Sequence, residues 1–220
     1  LSREHSRQPI VILISGRGGN MRALIEHSLG GGAPYRVAQV FADQPDAAGL
    51  QVAGDLGVPA TSLPATKGGD RAAYDRMLAA AIEYHAPALI VLAGFMRILS
   101  AAFVQRFSGT ILNIHPSLLP SFPGLHTHRR VLEAREASHG ATVHFVTEEL
   151  DGGPRVIQAR IAVDPADDES TLAARVQRLE HRIYPLAVTW FCDGRLRCHD
   201  GHAWLDDRRL LEPVQFSGDR

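Results

Sequence analysis

Ile10-Val11-Ile12-Leu13-Ile14 is an unbroken apolar run that stops at Gly16. No polar position interrupts it, which predicts a strand covered on both faces rather than one half in solvent. From Asn20 to His27 the period changes, with Met21, Leu24 and Ile25 falling on one side of a helix. Tyr35 to Phe41 reads as a second strand, a helix carrying Leu50 and Val52 follows Asp46, and Val58 to Leu63 fits a short third strand. Arg71 to Tyr84 places Tyr74, Met77, Leu78 and Ile82 at helical intervals, and Pro87 to Ala93 and Gly109 to His115 give strands four and five. Strands alternating with helices imply right-handed crossovers, so the expected fold is α/β with a doubly wound, mainly parallel sheet and a Rossmann-like N-terminal half.

The second half follows another pattern. Ala141 to Thr147 and Val156 to Val163 alternate as half-buried strands, joined by Glu148-Glu149-Leu150-Asp151-Gly152-Gly153-Pro154. A long helix is expected from about Ser170 to Phe191, with Leu172, Val176, Leu179 and Ile183 in phase. Leu196 to His199 and His202 to Leu205 flank Asp200-Gly201, a pair that favours a tight hairpin turn. The organisation read from this is a disordered tail over 1–9, one domain over 10–205 and a C-terminal tail over 206–220.

Composition narrows the class. With 220 residues, 45% hydrophobic and 21% charged, the chain can bury a sizeable core. Lys plus Arg total 23 against 24 Asp plus Glu, so no global field points to nucleic acid or membrane, and an anionic substrate needs a local arrangement. Two cysteines, Cys192 and Cys198, are too few for a disulfide framework, which fits a reducing cytosol. There is no secretory leader pattern and no apolar run long enough to span a bilayer, so the expected location is cytoplasmic.

Three places carry candidate chemistry. Ser15-Gly16-Arg17-Gly18-Gly19-Asn20 lies between the first strand and first helix, where bare backbone N–H groups and the helix N-terminus can hold phosphate. Met21 stands in place of a third glycine and no Gly-Lys-Ser/Thr follows, so neither the dinucleotide nor the P-loop pattern is met. Asp43, near the end of strand two, leaves a nucleotide reading open. Asn113 and His115 are two apart at a strand end, so an amide and an imidazole project on one side, roughly 7 Å apart, before Pro116 ends the strand. Asp151, alone, is an acidic turn residue; folded over His115 it would orient the imidazole and favour its protonated form. His126-Thr127-His128, with His139 and His144, raises a metal reading, but no carboxylate or cysteine joins them in a ligand spacing, so no metal is expected.

Longer stretches carry a resemblance. Val91 to Ser100 (VLAGFMRILS), Leu112 to Pro120 (LNIHPSLLP), Gly124 to His128 (GLHTH), His144 to Thr147 (HFVT) and Leu150 to Pro154 (LDGGP) resemble the folate-dependent formyltransferases. The glycine loop and Gln177 to His181 (QRLEH) narrow the likeness to the glycinamide ribonucleotide branch, in one register from about Ile10 to Leu205. The resemblance implies a formyltransferase-type fold with a C-terminal long helix and hairpin, and transfer of the formyl group of 10-formyltetrahydrofolate to the amine of 5-phosphoribosylglycinamide. Asn113, His115 and Asp151 would be catalytic, with His144 as support. Gly18, Gly19, Asn20, Gln177, Arg178, Leu179 and Glu180 would hold the ribonucleotide. Arg71, Met96, Arg97, Ile98, Leu99, Asn113, Thr147, Glu148, Glu149, Leu150 and Asp151 would line the folate site. It divides the domain into a ribonucleotide-phosphate half, 10–108, and a folate and catalytic half, 109–205. The partners implied are these small molecules, with no nucleic acid and no membrane, and a monomer or homodimer. The family often carries Ser where this chain has Gly19, which removes one hydroxyl contact to phosphate. A formyltetrahydrofolate deformylase is the nearest alternative; it usually has an additional N-terminal domain, for which a first strand at Ile10 leaves no room. Methionyl-tRNA formyltransferase, the second, would need a further C-terminal domain and a basic surface.

Overall fold

Parallel strands and crossover helices follow one another from Gln8 onward in a computed structural model, which describes residues 7–65 and 68–217. The order is β1 (Gln8–Ile14), α1 (Gly19–Leu29), β2 (Tyr35–Ala42), α2 (Ala48–Asp55), β3 (Ala60–Ser62), α3 (Arg71–Tyr84), β4 (Leu89–Leu92), α4 (Ala101–Arg106) and β5 (Ile111–His115). Then come α5 (Thr127–Glu133), β6 (Ser138–Phe145), β7 (Arg155–Ala162), α6 (Glu169–Cys192), β8 (Leu196–His199), β9 (His202–Leu205), β10 (Arg208–Arg209) and β11 (Val214–Phe216). The main sheet runs β11-β7-β6-β5-β4-β1-β2-β3, and β10-β9-β8 form a second, small sheet. Only the β5–β6 and β6–β7 pairings of the main sheet are antiparallel.

The unbroken apolar run of β1 is explained by two cores. Ile10, Ile12 and Ile14 pack with Leu24 of α1 and with Val176 and Ile183 of α6 on one face. Val11 and Leu13 pack with Tyr74, Leu78 and Ile82 of α3 and Phe103 of α4 on the other. Truncating a fully buried member such as Leu78 to Ala would cost about 2–5 kcal/mol. Tyr184 ties the central strands together from α6, its hydroxyl donating to the carbonyls of Leu92 and Leu112, both at 2.9 Å. A capping box starts α6: the Asp168 carboxylate accepts from Thr171 N–H and the Thr171 hydroxyl accepts from Asp168 N–H, each at 2.8 Å. Asp200 (φ 49°) and Gly201 (φ 72°) form the tight turn expected between β8 and β9.

Two expectations need correction. The strands read as half-buried, β6 and β7, are covered on both sides along most of their length. In β6, Ala141, Val143 and Phe145 face the α6 core, and the intervening Thr142 and His144 are buried too, against polar partners. The alternation is real, but its polar side lines a site instead of meeting water. The second correction concerns the ends. Gln8 and Pro9 belong to β1, β10 extends the small sheet, and β11 pairs in parallel with β7, so 206–217 is built into both sheets. The remaining tail residues, 1–6 and 218–220, lie outside the described ones. No helix among the described residues is long and apolar enough to cross a membrane.

Candidate active site

The antiparallel register of β5 and β6 sets Asn113 opposite His144 and His115 opposite Thr142 at the carboxyl end of β5. His144 is almost fully buried, and its Nδ1 lies 2.9 Å from the Phe145 carbonyl, which can only accept. That bond puts the ring proton on Nδ1 and leaves Nε2 as acceptor for the Asn113 amide Nδ2–H, at 3.1 Å. Burial holds the His144 pKa down to about 4, so the ring is neutral near pH 7 and presents a lone pair to Asn113. Asn113 is thereby fixed with its NH2 group toward His144, one N–H engaged and the other left to donate.

Asp151 reaches this edge because Gly153 lets the β6–β7 loop fold flat. A Cβ on Gly153 would stand 1.9 Å from the Phe145 carbonyl oxygen, so only glycine permits that approach. Asp151 itself has φ 52°, a left-handed conformation that Asp tolerates better than most residues. Its Oδ2 accepts from Gly124 N–H at 2.8 Å and stands 3.4 Å from His115 Nδ1, while Oδ1 faces His144 Nε2 at 3.8 Å. The side chains of His115 and Asp151 are each 8% exposed, so this pairing is shielded from bulk water. Asn113, His115, His144 and Asp151, far apart in sequence, thus form one cluster.

A polar lock beneath the 116–124 loop escapes sequence reading. Thr142 is buried, donates to the Ser117 carbonyl at 2.6 Å, and accepts from Leu119 N–H at 3.1 Å and from Gln158 Nε2 at 3.0 Å. Gln158 and Arg155 both donate to the Leu119 carbonyl. The lock aims the Phe122 carbonyl at His115 Nε2, 3.0 Å away, and Gly124 N–H at Asp151. The alternation in β6 was the available clue, since Thr142 and His144 project on the same side as each other.

The glycine loop lies against α6. Gly18, with φ 74°, caps α1 with no side-chain hydrogen bond, and Asn20 Nδ2 donates to Glu180 Oε2 at 2.8 Å. Burial raises the Glu180 pKa, opposed by the Asn20 bond. Gln177 reaches over Gly19, Arg178 is exposed and Leu179 packs on the core. Met96 N–H donates to the Ser15 hydroxyl at 2.8 Å, joining the loops after β1 and β4. Arg97 lies over the Tyr74 ring at 4.4 Å, Leu99 is half-buried, and Met96 and Ile98 are exposed. Buried Asp75 accepts from Ser100 N–H at 2.7 Å and holds the end of this segment. Arg71 stands exposed at the start of α3, beside a cavity of about 280 Å³ lined by Asp70, Tyr74 and Arg97 among others. In the β6–β7 turn, Thr147 donates to the Glu149 carbonyl, Glu148 accepts from Gln105 of α4, and Leu150 is exposed.

The other histidines separate. His126 is exposed with φ 57°, and His128 Nδ1 pairs with His139 Nε2 at 3.0 Å. Burial lowers both pKa values, that of His139 to about 4. Among the described residues no three His, Cys, Asp or Glu side chains are grouped so as to hold a metal ion. Asp43 is buried at the end of β2, where its Oδ2 accepts from Gln44.

A sheet edge carrying an oriented amide, two imidazoles and a carboxylate, with a glycine-capped helix beside it, defines a group-transfer site on an α/β fold. The formyl transferase family matches residues 8–188. Phosphoribosylglycinamide formyltransferase of Escherichia coli (strain K12) is 51% identical over 210 residues, covering 96% of this chain and 99% of that one. The enzyme of that name from Haemophilus influenzae is 42% identical, covering 91% of this chain and 95% of the other. The solved phosphoribosylglycinamide formyltransferase of Coxiella burnetii superposes with a TM-score of 0.91 at 42% identity, covering 96% of this chain and all of that one. The chain belongs to the formyl transferase family, in its phosphoribosylglycinamide formyltransferase branch.

Proposed function

We propose that the chain transfers the formyl group of 10-formyltetrahydrofolate to the amine of 5-phosphoribosylglycinamide, giving formylglycinamide ribonucleotide and tetrahydrofolate in purine biosynthesis, and that Asn113, His115 and Asp151 carry the chemistry. The observation that carries this reading is the cluster itself: an amide N–H donor fixed by His144 beside a His115–Asp151 pair that is shielded from water. The neutral amine attacks the formyl carbon, forming a C–N bond as the carbonyl electron pair moves onto oxygen. The free Asn113 N–H and a protonated His115 stabilise that oxygen. His115 Nε2 donates to the Phe122 carbonyl in the free enzyme, so the formyl oxygen takes Phe122's place as acceptor. Asp151 divides its roles: Oδ2 holds His115 and Gly124, and Oδ1 is open to a bridging water that carries the amine proton to N10. The C–N10 bond then breaks.

In this reading Gly18, Gly19, Asn20, Gln177 and Glu180 hold the phosphoribosyl group, and the Asn20–Glu180 bond makes that subsite straddle the 10–108 and 109–205 halves. The exposed Met96 and Ile98, with Arg97, Leu99, Arg71 and the 147–151 turn, hold the folate. The partners are small molecules only, the location is cytoplasmic, and the assembly is a monomer or homodimer. Incubation with both substrates should consume them in step. Formate released equally fast without the amine would favour formyl transfer to water instead and refute the assignment.

A further inference from the structure

Between the end of β4 at Leu92 and the start of α4 at Ala101 no regular element forms, yet this stretch carries Met96 to Leu99. Phe95 and Leu99 anchor it in the core beneath α3 and α4, and buried Asp75 holds its far end through Ser100 N–H, at 2.7 Å. Its near end is stitched to the loop after β1. The Leu13 carbonyl accepts from Ala93 N–H at 2.9 Å, the last regular rung between β1 and β4. A regular parallel ladder would next join Ser15 N–H to the Ala93 carbonyl and Phe95 N–H to the Ser15 carbonyl. Gly94, with φ 82°, adds one residue instead, and Ser15 N–H donates to the Gly94 carbonyl at 3.1 Å. Met96 N–H then becomes the matching donor, and it meets the Ser15 hydroxyl, at 2.8 Å, in place of a ladder carbonyl. The side chain thus keeps the rung while the backbone leaves the sheet toward Gly16. Among the described residues no other hydrogen bond holds the backbone of residues 95–99.

We propose that Ser15 is a positioning residue for the formyl donor: its hydroxyl fixes where Met96 to Leu99 lie over the sheet edge, and with them the folate slot. This rests on the folate reading above. The glycine loop itself does not depend on that hydroxyl. It is held by backbone bonds, from Ser15 N–H to the Gly94 carbonyl and from Gly49 N–H to the Gly16 carbonyl at 3.0 Å. Removing the hydroxyl therefore acts on one substrate's site and spares the other's, although Ser15 belongs by sequence to the loop of the spared one.

The test is calorimetric titration of the full chain with tetrahydrofolate and, separately, with glycinamide ribonucleotide, paired with hydrogen exchange at the Met96 amide. Ser15→Ala should weaken tetrahydrofolate by roughly three- to tenfold, the worth of one hydrogen bond, and move the ribonucleotide by less than about twofold. Exchange at Met96 should quicken in the same variant. Ser15→Thr keeps the hydroxyl and should restore both the folate affinity and the slow exchange. Equal weakening of the two ligands would mean that Ser15 only supports the loop, and unchanged folate affinity with faster Met96 exchange would show a bond that positions nothing. A Thr variant that behaves like Ala would overturn the role of the hydroxyl. A parent chain that binds the ribonucleotide but no tetrahydrofolate would sink the folate reading, a failure distinct from that of the tether, which the exchange at Met96 reads without ligand.

Discussion

Gly153→Ala separates the placement of Asp151 from its chemistry. The added methyl would begin 1.9 Å from the Phe145 carbonyl oxygen, whereas real Cβ atoms essentially never come within 3.0 Å. The obstacle is backbone in a paired strand, so the loop must retreat by roughly 1 Å, the difference between those distances. Asp151, two residues away, moves with it, and its contacts of 2.8 Å to Gly124 and 3.4 Å to His115 have no slack for that displacement. A misplacement of about 1 Å costs on the order of a hundredfold in rate, or about 3 kcal/mol of barrier. Gly152→Ala provides the contrast. The three atoms nearest its Cβ all belong to the side chain of exposed Glu149, the closest at 2.4 Å, and that side chain can swing into solvent. Initial rates at saturating substrates, with folding checked by circular dichroism, should therefore show a loss near a hundredfold for Gly153→Ala and a change within a few-fold for Gly152→Ala. Equal effects of the two, or a near-normal Gly153→Ala rate, would refute the claim that close backbone approach positions Asp151.

Three further outcomes are expected. Asn113→Ala removes the amide N–H that His144 orients and should lower kcat by about 10²–10³, while the buried His144 Nε2 loses its donor at a cost of about 1–3 kcal/mol, measured by initial rates and urea melts. Tyr184→Phe leaves the Leu92 and Leu112 carbonyls without their shared donor and should cost about 1–3 kcal/mol; an unchanged urea midpoint would mean those carbonyls find other partners. Acid should destabilise the fold through His144, whose pKa of about 4 lies below its ordinary 6.5. Between those values the unfolded chain binds the extra proton, so stability is intact above about pH 6.5, begins to fall there and finishes falling near pH 4. The share lost is on the order of 2 kcal/mol at pH 5. Urea melts at pH 7.5 and 5 should differ accordingly, less so in His144→Asn, and identical free energies would show that His144 is not held neutral by the fold.

What sequence could and could not reveal follows from the range of each interaction. The strands of the N-terminal half were legible because burial on both faces forces continuous apolar runs, as in Ile10 to Ile14. The Asn113–His115 pair was legible because a period of two is local to one strand. The short helices α4 and α5, of 6 and 7 residues, have too few turns to impose a pattern. β11 was read as tail because an edge strand of 3 residues is defined by its pairing with β7 rather than by its own sequence.

Asp151 is the sharpest case of non-local information. Spacing showed only an acidic turn, and family likeness alone brought it to His115. The structure supplies a physical reason that neither contained: Gly153 lets the loop lie against the Phe145 carbonyl, and Thr142 with Gln158 pins the facing loop so that Gly124 N–H meets the carboxylate. Both contacts join residues on separate elements, and each involves backbone, which side-chain pattern does not record. The consequence is that Thr142 and Gln158, though they touch no reacting atom, should govern where Phe122 and Gly124 sit. Thr142→Val keeps the shape and removes the hydroxyl, leaving the Ser117 carbonyl without its donor and Leu119 N–H without its acceptor. A stability loss of about 1–3 kcal/mol accompanied by a fall in kcat would show that the lock sets the site's geometry. The same stability loss with kcat unchanged would confine the lock to the fold.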